Sequence, residues 1–123
     1  MADTTLTEQQ RTAVRAAIDA SRQRAGDRLA ALQRQFADIL SASAEAVRDD
    51  EHDPEGVTIA FERAQVASLR SQAQAQLAAL DAAAAHLESR DGGRCVRCGA
   101  PIGYERLLAR PASIRCVVCA ALS

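Results

Sequence analysis

Residues 94–119 read RCVRCGAPIGYERLLARPASIRCVVC and hold all four cysteines of the 123-residue chain. Cys95-x2-Cys98 is followed, after 17 intervening residues, by Cys116-x2-Cys119. A Cys-x2-Cys turn lets two thiolates reach one ion at about 2.3 Å, and two such turns complete a tetrahedral sphere. A sphere closed by four thiolates leaves no position for water or substrate, so the spacing predicts one structural Zn²⁺. Gly99, directly after the second cysteine, suits a knuckle where the chain folds back. The competing readings are weaker. Disulfides need an oxidising compartment, and Met1–Gln10 shows neither the basic nor the apolar region of a secretory signal. A thioredoxin-type Cys-x2-Cys needs a βαβ setting, which the surrounding pattern does not offer.

Upstream of this module the pattern is helical. Thr5 and Glu8 fit a capping box, and from there to about Val47 only Gly26 disfavours a helix. Ile18, Ala25, Leu32, Ile39 and Ala46 recur every seven residues, with Leu29 and Phe36 as a second seam. The run Arg48–Gly56 breaks the pattern at Pro54, which suits the first position of a new helix with Asp53 as its N-cap. That helix is expected to reach Ser89 or Arg90, where Asp91-Gly92-Gly93 ends it. Its seam is Ile59, Val66, Ala73, Leu80 and Leu87. A short turn forces the two helices antiparallel, so facing positions must sum to a constant. Ile18/Leu87, Ala25/Leu80, Leu32/Ala73, Ile39/Val66 and Ala46/Ile59 all obey this rule, as do Phe36/Leu69 and Leu29/Gln76. The expected fold is mainly α: a long antiparallel coiled-coil hairpin over residues 1–91, followed by a four-cysteine zinc-finger module over 92–123. Within the hairpin, helices of about 5–47 and 54–90 flank a tip at 48–55. In the module, Ile102, Tyr104, Leu107, Leu108 and Ile114 are the expected core, and the tail after Cys116 suits a short helix.

Composition narrows the function. Aromatic residues are 2% of the chain (Phe36, Phe61 and Tyr104), so a core this poor in bulk calls for a metal staple. No apolar run approaches the roughly 20 residues of a membrane span, and a cytoplasmic location is expected. All 15 basic residues are arginine, and the formal net charge is −1. From Asp91 onward five arginines face two acids, but four thiolates on Zn²⁺ subtract two charges, which leaves about +1. That is a weak face for phosphates, so direct DNA binding is not expected. No catalytic constellation is present: His52 lies among acids at the tip, and His86 stands near the end of the second helix, facing either its dipole or plain solvent. The one exposed cluster with chemical content is Asp49, Asp50, Glu51, Asp53 and Glu55. Such a group suits Mg²⁺ or basic side chains in a cleft; it equally suits a solvated turn in which Asp53 and Glu55 serve as caps.

A long hairpin with an acidic tip, followed by Cys-x2-Cys-Gly, Ile102-Gly103, Arg106-Leu107, Ala109-Arg110-Pro111 and Cys-x2-Cys, resembles the DksA/TraR C4-type zinc-finger family. The likeness extends to Asp53-Pro54 and Phe61-Glu62-Arg63-Ala64. It implies a transcription regulator, not an enzyme, that binds bacterial RNA polymerase as a monomer. The hairpin would enter the secondary channel, the tip would approach the catalytic Mg²⁺, and the zinc module would rest at the rim. The chain departs from the family's best-studied tip, D-x-x-D-x-A. Aligned on Asp-Pro it has Asp53, Gly56 and Thr58; Asp50-x-x-Asp53 restores two aspartates one register away, with Glu55 in place of the alanine. Some members act with the alarmone ppGpp, held by cations from the later half of the second helix and just after the last cysteine. Here nothing basic lies between Arg70 and Arg90, the corresponding face reads Ala73, Leu77, Leu80 and Ala84, and Cys119 is followed by Ala120. A ppGpp partnership is therefore not expected. Two other classes compete: a nucleic-acid-binding zinc ribbon with a helical arm, and a structural adaptor whose rod binds another helix.

Overall fold

The computed structural model describes residues 6–46 and 54–122, without the side chains of 43, 45, 46, 54 and 55. Four helices follow in order: α1 (Glu8–Ala46), α2 (Pro54–Glu88), α3 (Tyr104–Ala109) and α4 (Val117–Ala121). The first two are the long helices read from the heptads, and they pack together. Pro54 opens α2 as expected. The capping box of α1 lies two residues later than expected. Thr7 N donates to Gln10 Oε1 and Gln10 N to Thr7 Oγ1, both at 3.0 Å, while Thr5 lies outside the described residues. The shift has a physical gain: two reciprocal bonds satisfy orphan amides, and Glu8 remains in the first turn against the positive helix end. At the other end α2 stops at Glu88, where the Ser89 hydroxyl and amide both donate to the His86 carbonyl and turn the chain out of the helix.

Contacts divide the chain into two units, one of residues 25–75 and one of the residues on either side. In the 25–75 unit, Leu32, Val66 and Ala73 are buried, with Leu29, Phe36, Ile39 and Leu69 packed against them. These are the expected layers Leu32/Ala73, Ile39/Val66 and Phe36/Leu69, with a leucine filling the space an alanine leaves. The Arg70 guanidinium lies 4.4 Å from the Phe36 ring centroid, a cation–π contact that shields an otherwise half-open ring. Phe61 takes no part in this core and is 72% exposed.

Gly26 sits inside α1 with nothing within 4 Å of where a Cβ would lie. Glycine at an open helix position costs about 1 kcal/mol relative to alanine. Gly26→Ala is therefore expected to raise the melting temperature by several degrees, read by helical circular dichroism. A lower melting temperature would mean that the helix needs this glycine.

In the other unit, the amino-terminal part of α1 packs against the carboxy-terminal part of α2. Ile18, Leu80 and Leu87 are buried as the heptads predict, and so are Val14, Ser21 and Ala83. Arg15 pairs with Glu88 at 2.7 Å and Arg22 with Asp81 at 2.9 Å. Seven residues up one helix match seven down the other, in keeping with the antiparallel register; the pairs are exposed and screened by solvent, so they mark the register more than they stabilise it. Gln76, expected on the second seam, is exposed; a polar amide gains nothing from burial without a hydrogen-bond partner.

Candidate metal centre and an arginine-lined hollow

The first knuckle is a tight loop. Cys95 N donates to Ala100 O at 2.7 Å, Gly99 N to Cys95 O at 2.9 Å, and Arg94 and Pro101 form a single antiparallel bridge. Gly99 has φ +77°, a left-handed conformation that a side chain would strain. The second knuckle opens a helix: Cys116 is the N-cap of α4, and its sulfur accepts from Cys119 N at 3.4 Å. Val96 N donates to Ile114 O at 2.9 Å and ties the knuckles together.

The four sulfurs lie within 4.8 Å of one another, and Cys98 and Cys116 are 3.7 Å apart. A tetrahedron with zinc–sulfur bonds of about 2.3 Å has edges of about 3.8 Å, so the cluster has the dimensions of a site for one zinc ion. Electrostatics point the same way. Burial opposes ionisation of Cys95, yet backbone amides outweigh it and bring the thiol down to about 6. The Cys119 amide lowers Cys116. Burial and the neighbouring sulfurs push Cys119 up to about 12. Some thiolates are already favoured, while the full set of four needs a cation among them.

Around the cluster, Ile102 and Leu107 are buried, and Tyr104 and Ile114 are half-buried. Leu108, expected inside, is 38% exposed. Adjacent helical positions point about 100° apart, so α3 cannot turn both leucines inward. His86 faces neither the dipole nor open solvent: its Nε2–H donates to the Arg94 carbonyl at 2.6 Å. His52, with Asp49, Asp50, Glu51 and Asp53 of the expected tip, lies outside the described residues. Only the backbone of Glu55 is described, within the first turn of α2.

One feature was not legible beforehand. A hollow of about 660 Å³ has Ala17 and Leu80 from the two helices on one side and Leu108 and Pro111 on the other. Arg24, Arg106 and Arg110 line it, and no carboxylate is among its described lining residues. Arg24 is steadied by Ser21 Oγ at 3.0 Å, and Arg106 Nε donates to Arg115 O at 3.3 Å. Ala73 and Leu80, expected on an effector-facing surface of the second helix, are 2% and 1% exposed and belong to the helix interface. Cations reach this region from α1 (Arg24), from α3 (Arg106) and from the residue that follows α3 (Arg110) instead.

Four cysteines on two knuckles, beside the packed ends of two long helices, define a C4 zinc-finger protein. Residues 90–123 match the profile of the family described as the prokaryotic dksA/traR C4-type zinc finger. Among solved structures, the chain is similar to the transcription factor DksA2 from Pseudomonas aeruginosa, with a TM-score of 0.76 and 23% identity over 94% of this chain and 83% of that one. At that identity the likeness is one of fold. No curated protein matches the chain.

Proposed function

We propose that this protein is a DksA/TraR-type transcription regulator that acts by binding RNA polymerase. The observation that carries this reading is the family's zinc module joined to the paired helices of a transcription-factor fold along nearly the whole chain. In this reading Cys95, Cys98, Cys116 and Cys119 ligate one structural zinc. The helices enter the secondary channel, a passage that suits narrow alanine-rich helices. The tip carboxylates Asp49, Asp50, Glu51, Asp53 and Glu55 approach the catalytic centre, and the module stays at the rim. The protein works as a monomer in the cytoplasm and does not catalyse a reaction itself. No described helix is long and apolar enough to cross a membrane.

Arg106 and Arg110 border the hollow with no carboxylate beside them in its lining, which suits acidic side chains at the channel rim. Purified core RNA polymerase is expected to retain the protein on an affinity resin. Arg106→Ala with Arg110→Ala should weaken retention about tenfold or more, in a salt-dependent way. Retention by nucleic acid alone, with none by polymerase, would favour the zinc-ribbon reading.

Regulation is proposed to be independent of ppGpp, because the second helix and Ala120 supply none of the expected cations. The hollow provides the counter-test. Transcription in vitro, with a polymerase lacking its other ppGpp site, should respond to this protein equally with and without the nucleotide. A several-fold gain on adding ppGpp, lost in Arg24→Ala with Arg110→Ala, would place the nucleotide at the hollow and overturn this expectation.

A further inference from the structure

The start of α1 and the first zinc knuckle meet on one dipeptide, Gly92-Gly93. The Leu6 side chain comes within 3.2 Å of where a Gly93 Cβ would sit. The Arg11 guanidinium donates to the Leu87 carbonyl at the end of α2, and Gly92 leaves the room for it: a Gly92 Cβ would overlap that carbonyl and lie 3.2 Å from the guanidinium. Gly92 is buried, and Gly93 has φ +87°. Both positions therefore demand glycine, one for space and the other for backbone conformation.

The same dipeptide is also held by the backbone of the zinc module. Gly93 O accepts from Ile102 N at 2.8 Å, Arg94 pairs with Pro101, and Cys95 N bonds to Ala100 O. His86 adds its bond to the Arg94 carbonyl. These bonds close the loop that presents Cys95 and Cys98. The hairpin's own packing starts at Val14, which is buried, and Arg15, which pairs with Glu88; the residues ahead of them have few other described anchors. Their capping box is exposed, and an isolated helix end frays readily when its docking is lost.

We propose that Leu6, Arg11, Gly92 and Gly93 form a metal-linked clasp, through which zinc binding orders the amino-terminal turns of α1. This rests on the four-cysteine zinc site proposed above. The clasp is a conformational device: zinc occupancy at one end of the unit sets the exposure of a segment far away in sequence. Linkage makes it reciprocal, so a chain with a broken clasp must bind zinc more weakly by the same factor that zinc strengthens the clasp.

The test is amide hydrogen exchange on the full chain, zinc-loaded and after chelation, with zinc content measured alongside. Peptides covering residues 6–12 are expected to lose about tenfold or more of their protection on zinc removal, while residues 29–39 and 66–73 keep theirs. Leu6→Ala with Arg11→Met should abolish the zinc-dependence of residues 6–12 and lower zinc affinity roughly fivefold or more in competition with a chromophoric chelator. A protein that binds zinc, but whose residues 6–12 exchange alike with and without it, overturns the clasp and leaves the metal site standing. Unchanged zinc affinity in the double variant does the same. A chain that takes up no zinc overturns both.

Discussion

Chelation of the metal, or Cys116→Ser, is expected to unfold the chain from about Arg94 to Leu122 while residues 25–75 stay helical. The module has little else to hold it. Its buried apolar residues outside the cysteines are Ile102 and Leu107. Its helices are 6 and 5 residues long, far below the length that is stable alone. Zinc bound by such small modules supplies about 10 kcal/mol or more of apparent binding free energy, and that energy is the folding energy of the module. The 25–75 unit keeps its own buried layers around Leu32, Val66 and Ala73. Trypsin should report the difference, since Arg97, Arg106 and Arg115 all fall inside the affected segment and none precedes a proline. Rapid cleavage at these arginines after chelation, with only a modest loss of helical dichroism, is the expected outcome. An unchanged digestion pattern in a verified metal-free protein would remove the structural role from zinc.

The same cluster sets the sign of a pH effect. Cys119 is pushed up to about 12 by burial and by the sulfurs around it, so at neutral pH zinc must displace its proton. Cys95, held at about 6, is already largely ionised there. Zinc binding near pH 7 should therefore release protons, and affinity should fall as the solution is acidified through 6, where Cys95 too must be deprotonated by the metal. Calorimetry in buffers of different ionisation enthalpy counts the protons directly.

The helices were legible because packing repeats. A seven-residue recurrence on both arms located Ile18, Leu32, Val66, Ala73, Leu80 and Leu87, and the fixed sum of facing positions gave their register. Ser21 and Ala83 escaped because their residue types are polar or small, and Val14 because it precedes the seam, which begins at Ile18. Their positions, three or four from a seam residue, were the available signal. The true capping box was equally visible as Thr7-x-x-Gln10, two residues beyond Thr5-x-x-Glu8; both fit the local rule, and only the fold chooses. The hollow is a different case. Arg24 lines one hollow with Arg106 and Arg110 because α3 and the residues after it lie beside the helices, a long-range placement with no period in sequence. Leu108 marks the limit from the other side: hydrophobicity placed it in the core, whereas a six-residue helix with Leu107 inward must turn it out.

The second large effect is expected at the tip. Asp50→Ala with Asp53→Ala should leave polymerase retention intact and remove most of the protein's effect on transcription. Binding in the proposed mode is spread over the helices and the module, whereas the tip carboxylates act where divalent metal ions and developing charge concentrate. In such a low-dielectric cleft a carboxylate is worth far more than at an open surface. The alternative, that these residues merely cap a solvated turn, makes a different forecast. Asp53 directly precedes Pro54, the first residue of α2, and losing an N-cap costs about 1 kcal/mol. That is a stability change of a few degrees, not a loss of function at temperatures where the fold is intact. Asparagine separates the two, because it caps about as well as aspartate but carries no charge. Asp50→Asn with Asp53→Asn should therefore melt like the parent protein and still fail to alter promoter-complex lifetime in a polymerase assay. Full regulatory activity in the asparagine variant would show that the charges are not used, and the tip would then be a cap and nothing more.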